Sequence, residues 1–566
     1  MKKNSLKKII IDPVTRIEGH LRIEVEIDEN NVIQEAWASG QLFRGIETIL
    51  VGKDPRDTAL VAQRICGVCT HSHYRASIES VEDAYKMDIP RNAHIMRNLV
   101  SLSLFIQDHI VHYYQLHSLD FVDVVSASQA KAKKATQEAL KYSAEPYRNS
   151  KAHLKSVKEK LVNFIKAGRL GLFANGYWGH EGYKFTPEQN LIHMSHYFEA
   201  LRIQREISKA IAIFAGKTPH PQYLVVGGVT SVMDMLNSSR LNDFMLILKE
   251  VNDFINRAYL PDVKMLCEVY KEDIHAGNGL GVGNFMAVGG YDFSKENQLF
   301  EAGVIKGFDF ENIESFDITN VTEEATRAWY VDEKAVFPIE GSTTPFYTDI
   351  NEDGSLKTSG KYSWIKAPRY EGVTMEVGPV SRMLVGYLKN SPVIKPYMDT
   401  FLQQNDLELK DICTTIGRNI ARAIEANICC EFIFDFMNEL IENIKYYDEQ
   451  TWSKYSFDTL PKNAQGWCVY EVPRGVLAHF VNIENQKVKN YQAVVPTTWN
   501  ASPKDAKNQR GPYEESLIGI KLNNPKEPLE VLRVIHSFDP CLACAVHIID
   551  AKKSSLGSYK VGTSIF

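Results

Sequence analysis

The sequence predicts a mainly α-helical protein with smaller β elements, an α+β fold. Five long segments have apolar residues at helical spacing, whereas the alternation typical of half-buried strands is confined to shorter runs, mainly near the two ends of the chain. The chain has 566 residues, of which 44% are hydrophobic and 24% charged, so it is long enough to bury an extensive core. We therefore expect a multihelical core with an N-terminal β-hairpin and C-terminal strands.

The elements follow in order along the chain. Apolar and charged residues alternate in "HLRIEVEID" at 20–28, and the turn-like "ENN" separates this strand from a second extended run. Pro90 suits the first turn of a helix that reaches about His117. Further helices are expected near 134–167, 186–215, 239–270 and 411–446. Gly, Pro and aromatic clusters at 280–375 favour short extended segments, and 467–496 is again typical of strands.

Charge and hydropathy exclude several classes of protein. The net charge of −6 and the pI near 6.3 give no overall basic footprint for nucleic acid or anionic lipid. The apolar run in "MKKNSLKKIIIDPV" ends at Asp12, too soon for a signal peptide. No run reaches the roughly 18–20 apolar residues of a spanning helix. We expect a soluble chain.

Four of the nine cysteines form two CxxC pairs. Cys66 and Cys69 lie in "QRICGVCTHSH", and Cys541 and Cys544 lie in "SFDPCLACAVH". Each pair supplies half of a four-thiolate shell suited to zinc, iron or nickel, so a site that uses both must bring the chain ends together. A structural zinc site is the alternative. The other five cysteines lack such spacing and are expected in the core: Cys267, Cys413, Cys429, Cys430 and Cys468.

Longer motifs resemble one known family. The two cysteine motifs are accompanied by "DPVTRIEGH" at 12–20, "LFRGIETIL" at 42–50, "GKTPHPQYLVVGGV" at 216–229, "KAPRYEGVTMEVGP" at 366–379 and "VVPTTWN" at 494–500. In this order, and over essentially the whole chain, they resemble the large subunit of nickel-iron hydrogenases. The resemblance implies reversible cleavage of H2 into protons and electrons, with uptake as the expected direction.

The resemblance also implies a metal centre. Cys66 and Cys541 would bind nickel terminally, while Cys69 and Cys544 would bridge nickel and iron. The iron would carry carbon monoxide and cyanide ligands, surrounded by Pro473, Arg474 and Thr497. Such ligands need a dry pocket that supplies a few hydrogen-bond donors, because no water solvates their lone pairs there.

Proton transfer is assigned from the same resemblance. Heterolysis of H2 needs a hydride acceptor, which the two metals would supply, and a base held nearby. The base is either the Cys541 thiolate or Arg474. Glu18 would then accept the proton, although an ion pair with Arg16 is an equally good explanation from local sequence alone.

Two further acids belong to this expected site. Asp108 lies on an apolar helix face and needs a buried partner, for which a helix-to-helix hydrogen bond is the structural alternative. The resemblance instead places Asp108 and Asp539 beside Arg474, where both would orient the guanidinium.

A magnesium site and a cleaved tail complete the implied chain. Glu47, His547 and a backbone carbonyl would surround magnesium, although an imidazole is an unusual magnesium ligand. Residues 548–566 would be a maturation peptide that a maturation endopeptidase removes after nickel-insertion proteins have loaded the metal, leaving residues 1–547 as a single domain. The alternative is an ordinary surface tail.

Electrons need a partner, because the remaining cysteines lack iron-sulfur cluster spacing. The resemblance implies an obligate small subunit that carries iron-sulfur clusters, with His220 near the interface, and a membrane cytochrome b or another quinone-linked anchor. We expect the periplasmic face of the membrane, with the cytoplasm as the alternative. Rival functions are a hydrogen-sensing regulatory hydrogenase and a four-thiolate subunit of a complex I-like assembly without hydrogenase activity.

Overall fold

A computed structural model describes residues 6–168, 170–173, 176–294 and 297–542. Cys544, His547 and the expected maturation peptide lie outside the described residues. The predicted α+β class is confirmed, since helices dominate and short sheets flank them. Among the described residues, no helix is long and apolar enough to cross a bilayer.

The described part of the chain contains eighteen α-helices. They are α1 (Ile46–Leu50), α2 (Thr58–Ala62), α3 (Thr70–Ala84), α4 (Arg91–Val111), α5 (Val124–Ala127), α6 (Ala132–Tyr142), α7 (Lys151–Lys166), α8 (Pro187–Ala215), α9 (Val232–Met235), α10 (Ser238–Phe254), α11 (Leu260–Val269), α12 (Lys271–His275), α13 (Pro379–Leu388), α14 (Lys395–Asn405), α15 (Thr415–Lys445), α16 (Pro496–Asn500), α17 (Pro512–Leu517) and α18 (Leu529–Ser537).

Thirteen strands form five small sheets within the same described ranges. They are β1 (Lys7–Ile11), β2 (Leu21–Ile27), β3 (Ile33–Gly40), β4 (Leu224–Val225), β5 (Gly228–Val229), β6 (Phe285–Ser294), β7 (Asn297–Ile305), β8 (Val321–Glu324), β9 (Ala367–Tyr370), β10 (Glu376–Val377), β11 (Ala464–Val472), β12 (Gly475–Glu484) and β13 (Lys487–Val494). The sheet orders are β1-β2-β3, β4-β5, β10-β6-β7, β8-β9 and β11-β12-β13.

Helix α15 lies at the centre of the helical core and packs against α4, α13 and α11. Its first two turns are capped by Thr414, whose side chain accepts the Gly417 N–H. Glu425 on α15 pairs with Arg382 on α13 at 2.6 Å and with His109 on α4 at 2.7 Å. Because all three side chains are fully buried, this contact fixes the three helices relative to one another.

Two expected helices are interrupted. The segment predicted as one helix over 134–167 forms α6 and α7, because "SAEPYRNS" contains Pro146 and the Ser150 side chain caps α7 by accepting the His153 N–H. The segment over 239–270 forms α10 and α11, joined by the wider helical turn Ile255–Tyr259. The predicted N-terminal hairpin gains a third strand, β1, which pairs with β2.

The two ends of the described chain meet. Ile33 at the start of β3 donates its N–H to the carbonyl of Ile520 at 2.9 Å, and the Leu542 N–H donates to the carbonyl of Glu18 at 2.7 Å. Glu18 and Cys541 thereby form a parallel β-bridge. The backbone itself therefore positions the C-terminal CxxC motif beside the N-terminal part of the molecule.

Candidate metal centre

The N-terminal thiols lie on a tight loop that leads into α3. The N–H groups of Val68 and Cys69 point at the Cys66 sulfur, with N to Sγ distances of 3.2 and 3.1 Å. Donors aimed at one sulfur favour its anionic form, which is the form that binds a metal. Cys66 and Cys69 are buried, while Gly67 and Val68 between them are exposed.

Cys541 brings a third sulfur from the other end of the chain. Its Sγ lies 3.3 Å from Cys66 Sγ and 3.9 Å from Cys69 Sγ, across sequence separations of 475 and 472 residues. All three sulfurs lie within 4.8 Å of one another and are buried. This spacing allows one ion or a pair of ions to contact all three, and Cys544 lies outside the described residues.

Arg474 and two acids form a buried ionic group beside the sulfurs. The guanidinium donates to Asp108 Oδ2 at 2.7 Å and to Asp539 Oδ1 at 3.1 Å, and its Nε donates to the Asp539 carbonyl at 3.1 Å. Burial alone would lower the pKa of Arg474, but Asp539 and Asp108 together raise it well above its ordinary value. Burial raises the pKa of Asp108 to about 7, against the attraction of Arg474. Arg474 is therefore a fixed cation.

A small, largely apolar cavity adjoins the sulfurs. Its lining includes Pro473, Arg474 and Thr497 together with Cys69 and Cys541. The Thr497 hydroxyl accepts the Cys541 N–H at 3.2 Å, so α16 helps to hold the C-terminal cysteine in place. Within the described residues, the three side chains expected around diatomic ligands thus share one cavity with the thiols.

Glu18 lies next to the sulfur cluster. Its Oε2 is 3.5 Å from Cys541 Sγ, and the β-bridge holds the two residues in register. Arg16, the alternative partner from local sequence, instead pairs with Asp120. The carboxylate of Glu18 therefore faces the thiols and not Arg16.

Comparison with known proteins decides the family. A family profile described as "Nickel-dependent hydrogenase" matches residues 44–547, and one described as "HoxL-like" matches residues 8–38. The chain belongs to the nickel-dependent hydrogenase family. It is the large, catalytic subunit of a nickel-iron hydrogenase, a kind of chain that pairs with a small subunit.

Relatives of this hydrogenase span its whole length. It is 47% identical to the "Quinone-reactive Ni/Fe-hydrogenase large chain" of Wolinella succinogenes, over 98% of both chains. It is 41% identical to the "Uptake hydrogenase large subunit" of Bradyrhizobium diazoefficiens, over 99% of this chain and 98% of that one. The solved Ni-Fe-Se hydrogenase of Desulfovibrio vulgaris Hildenborough in its reduced state superposes with a TM-score of 0.78 at 31% identity, covering 96% of this chain and 100% of that one.

The donor set of this hydrogenase fits a nickel-iron centre. Three soft sulfur donors converge in a buried site, and the charged group beside them, Arg474 with Asp108 and Asp539, is internally paired. The five remaining cysteines are buried elsewhere, as predicted: Cys267, Cys413, Cys429, Cys430 and Cys468.

His73 also belongs to the hydrogenase site, although the sequence motifs did not predict it. It lines the same cavity, four residues after Cys69 and thus one turn along α3. Its Nδ1 lies 3.0 Å from His479 Nε2, and burial lowers the pKa of His73 to about 4, so the ring is neutral. The i, i+4 spacing from Cys69 was the available signal, since both positions fall on one helix face.

Glu47 lies in a separate oxygen-rich pocket of the hydrogenase. Its Oε1 accepts the Ala493 N–H at 2.9 Å, and its Oε2 accepts the Thr343 hydroxyl. Gln492 Oε1 is 3.3 Å from the Thr343 hydroxyl, and the Lys366 ammonium reaches Gln492 Oε1 at 2.9 Å. A carboxylate has about four acceptor positions, so Glu47 retains capacity for a hard cation. His547, the other expected ligand, lies outside the described residues.

His220 lies against the N-terminal CxxC loop. Its backbone N–H donates to the hydroxyl of Thr70, the residue after Cys69, at 3.0 Å. The side chain is partly buried, and burial lowers its pKa. This places His220 at the edge of the hydrogenase site where Val68 is exposed.

Proposed function

We propose that this hydrogenase large subunit oxidises H2 in the uptake direction and delivers the electrons through its small subunit to a quinone-linked membrane partner. The observation that carries this proposal is the meeting of three buried sulfurs from opposite ends of the chain beside Glu18 and Arg474. Relatives named "quinone-reactive" and "uptake" support the direction and the acceptor.

The four motif cysteines would differ in which metal they coordinate. Cys66 and Cys541 would hold the nickel, and Cys69 and Cys544 would hold the nickel together with the iron. The Val68 and Cys69 N–H groups point at the Cys66 sulfur, and Thr497 holds the Cys541 backbone. These contacts support sulfur positions that are fixed before any metal binds.

The cavity of Pro473, Arg474 and Thr497 would surround carbon monoxide and cyanide on the iron. Cyanide accepts hydrogen bonds strongly, and the Thr497 hydroxyl and the Arg474 guanidinium are two of the donors that line this cavity. The apolar remainder of the lining would keep water away, which preserves the strength of those few contacts.

Proton transfer follows from the residues around Cys541. Cleavage of H2 releases two protons and two electrons, and the nickel-iron centre supplies the electron-accepting side of that chemistry. Of the two bases considered, the Cys541 sulfur is the one that can accept the proton, because Arg474 is already a cation. Asp108 and Asp539 hold the Arg474 guanidinium beside the site. Glu18, at 3.5 Å from the Cys541 sulfur, receives the proton and passes it toward solvent.

Glu47 and His547 would hold magnesium with a backbone carbonyl and water. The carboxyl and amide oxygens around Glu47 support this assignment, because magnesium prefers oxygen ligands. The ion would tie α1 to the C-terminal end of the mature chain.

The small subunit would dock where the N-terminal CxxC loop reaches the surface. Ile49, Leu60 and Val68 are 48%, 47% and 38% exposed on α1, α2 and that loop. Exposed apolar side chains on successive elements are typical of an interface core. The route for electrons would also be shortest here, because iron-sulfur clusters of the partner could approach Cys66 and Cys69. His220 lies at this edge. A cytochrome b or another quinone-linked anchor would hold the pair at the periplasmic face of the membrane.

The test is hydrogen-dependent dye reduction by the purified heterodimer. Glu18→Gln removes the proton acceptor without changing size, so we expect turnover to fall at least about a hundredfold at unchanged nickel content. The matched control is Glu26→Gln on the neighbouring strand β2, which should keep the wild-type rate.

Full turnover in Glu18→Gln would contradict the assigned proton route. Slow turnover in the wild-type enzyme, by contrast, would favour a hydrogen sensor with the same metal site.

A further inference from the structure

The helical hairpin formed by α6 and α7 is strongly basic although the whole chain is acidic. Residues 131–168 contain ten Lys and Arg residues and three Glu residues, whereas the chain carries a net charge of −6. Acidic residues elsewhere in the chain offset this local positive charge, so neither the net charge nor the pI shows it.

The basic side chains of the hairpin point into solvent. The buried residues of α7 are Leu154, Val157 and Leu161, which face the body of the molecule. Nine of the ten cations are exposed: Lys131, Lys133, Lys134, Lys141, Arg148, Lys151, Lys155, Lys160 and Lys166. The hairpin packs on α8 through its apolar side, so its outer side is a charged surface.

Few of these charges are neutralised locally. Lys141 pairs with Glu138, Lys155 lies 3.7 Å from Glu159, and Arg148 lies 3.5 Å from Glu199. Among the described residues, no acidic side chain lies within ion-pair distance of four exposed lysines: Lys133, Lys134, Lys151 and Lys166. The outer surface therefore keeps a local excess of positive charge.

An apolar side chain lies within the basic surface. Leu140 is 52% exposed on α6, two turns after Lys133 and next to Lys141. An exposed leucine flanked by lysines suits a binding partner that has a charged outer layer and an apolar layer directly below it. The lysine ammonium groups can contact the charged layer while their aliphatic stems lie along the apolar layer.

We propose that the α6–α7 hairpin docks on the anionic lipid headgroups of the membrane. Nine of its ten cations are lysines, and lysine is depleted in protein–protein interfaces, where arginine is preferred. Clustered lysines attract anionic lipid through charge alone, with each one contributing near the surface. The proposed small-subunit surface around Val68 lies on α1, α2 and the CxxC loop, so the two contacts use different residues.

The docking rests on the membrane location in the proposed function, but its test needs no turnover. The purified heterodimer is floated with vesicles of phosphatidylcholine alone, and with vesicles that also contain phosphatidylglycerol. We expect binding to rise with the anionic lipid and to weaken as salt is added.

The test variant changes Lys133, Lys134, Lys151 and Lys166 to Gln. The matched control changes four exposed lysines elsewhere to Gln: Lys334, Lys389, Lys454 and Lys507. Both variants lose the same charge, so a local effect appears as a difference between them. We expect the hairpin variant to lose at least about tenfold in binding to anionic vesicles, and the control to lose less than about twofold.

Equal binding by the two variants, or equal binding to both kinds of vesicle, would overturn the proposal. So would loss of an acidic protein partner from the detergent-solubilised complex of the hairpin variant with vesicle binding unchanged. Dye-linked hydrogen oxidation by the same samples reports separately on the proposed function.

Discussion

Among the single residues of the site, Arg474 is a buried cation whose position and charge are both fixed. Arg474 has contacts to two carboxylates and one carbonyl, all buried. Only the planar fork of arginine reaches three acceptors in fixed directions, and a lysine ammonium at the same position would satisfy fewer of them.

Arg474→Lys is therefore expected to lower turnover by about a hundredfold, since it keeps the charge but loses the directed donors. Nickel content should stay at the wild-type value, because Arg474→Lys leaves in place the Val68 and Cys69 N–H contacts to the Cys66 sulfur and the Thr497 contact to the Cys541 backbone. The measurement is hydrogen-dependent dye reduction alongside metal analysis. Arg56→Lys, at an exposed pair with Asp54, is the control. A variant that keeps more than half of the wild-type rate would show that the guanidinium geometry is unimportant.

Sequence predicted the thiols and acids of the site better than it predicted their support. Cys66, Cys69 and Cys541 were predictable because each belongs to a short motif. His73 was not predicted, although its i, i+4 spacing from Cys69 was a local signal, because its contact with His479 joins residues 406 positions apart. The roles of all these site residues stay predictions, and Cys544 and His547 also lie outside the described residues.

At the element scale, helix α17 fastens the C-terminal part of the chain to strand β3. Glu514 Oε1 accepts the Ala38 N–H at 3.1 Å and the Tyr362 hydroxyl at 2.9 Å, and the residue is fully buried. Burial raises the pKa of Glu514 from 4.5 to about 7. The folded state thus holds this proton more tightly than the unfolded state does.

This contact predicts a pH-dependent effect of Glu514→Gln. The pKa of Glu514 is higher in the folded state than in the unfolded state. The carboxyl therefore does not lower the free energy of unfolding below about pH 4.5, lowers it progressively as pH rises to about 7, and has a constant effect above that pH. The neutral amide avoids that cost. We expect the variant to gain up to about 2–3 kcal/mol of stability relative to wild type between pH 5 and pH 8.

Thermal unfolding of the heterodimer at several pH values checks this expectation. Glu515→Gln, the partly exposed neighbour that pairs with Arg510, should leave the pH dependence unchanged. A difference between Glu514→Gln and wild type that is constant from pH 5 to pH 8 would disprove the linkage.

The long helices were predictable from periodicity, whereas their interruptions depended on local chemistry that periodicity does not record. Helix α8 begins at Pro187 and ends at Ala215, within a residue of the expected 186–215. The break between α6 and α7 instead depends on Pro146 and on the cap by Ser150. Strand β1 was missed because its edge position leaves its sequence without clear alternation.

At the scale of the whole molecule, the fold closes its two ends over one site. The β-bridge between Glu18 and Cys541 joins segments more than 500 residues apart in sequence. The site is buried only once both ends of the chain have come together. This would explain a C-terminal extension that is removed after metal insertion.

We accordingly expect the mature chain to end at His547. Intact-mass measurement of the nickel-replete enzyme should show a chain shortened by the last nineteen residues. The chain produced without nickel should keep its full length. A nickel-replete, active enzyme that still carries residues 548–566 would identify them as an ordinary tail.

Anomalous diffraction at the nickel edge, from crystals of the active heterodimer, locates the metal relative to the cysteines. We expect one nickel peak per large subunit within bonding distance, about 2.3 Å, of the sulfurs of Cys66, Cys69 and Cys541. A nickel peak away from this cluster, or a cluster that holds zinc and no nickel, would contradict it.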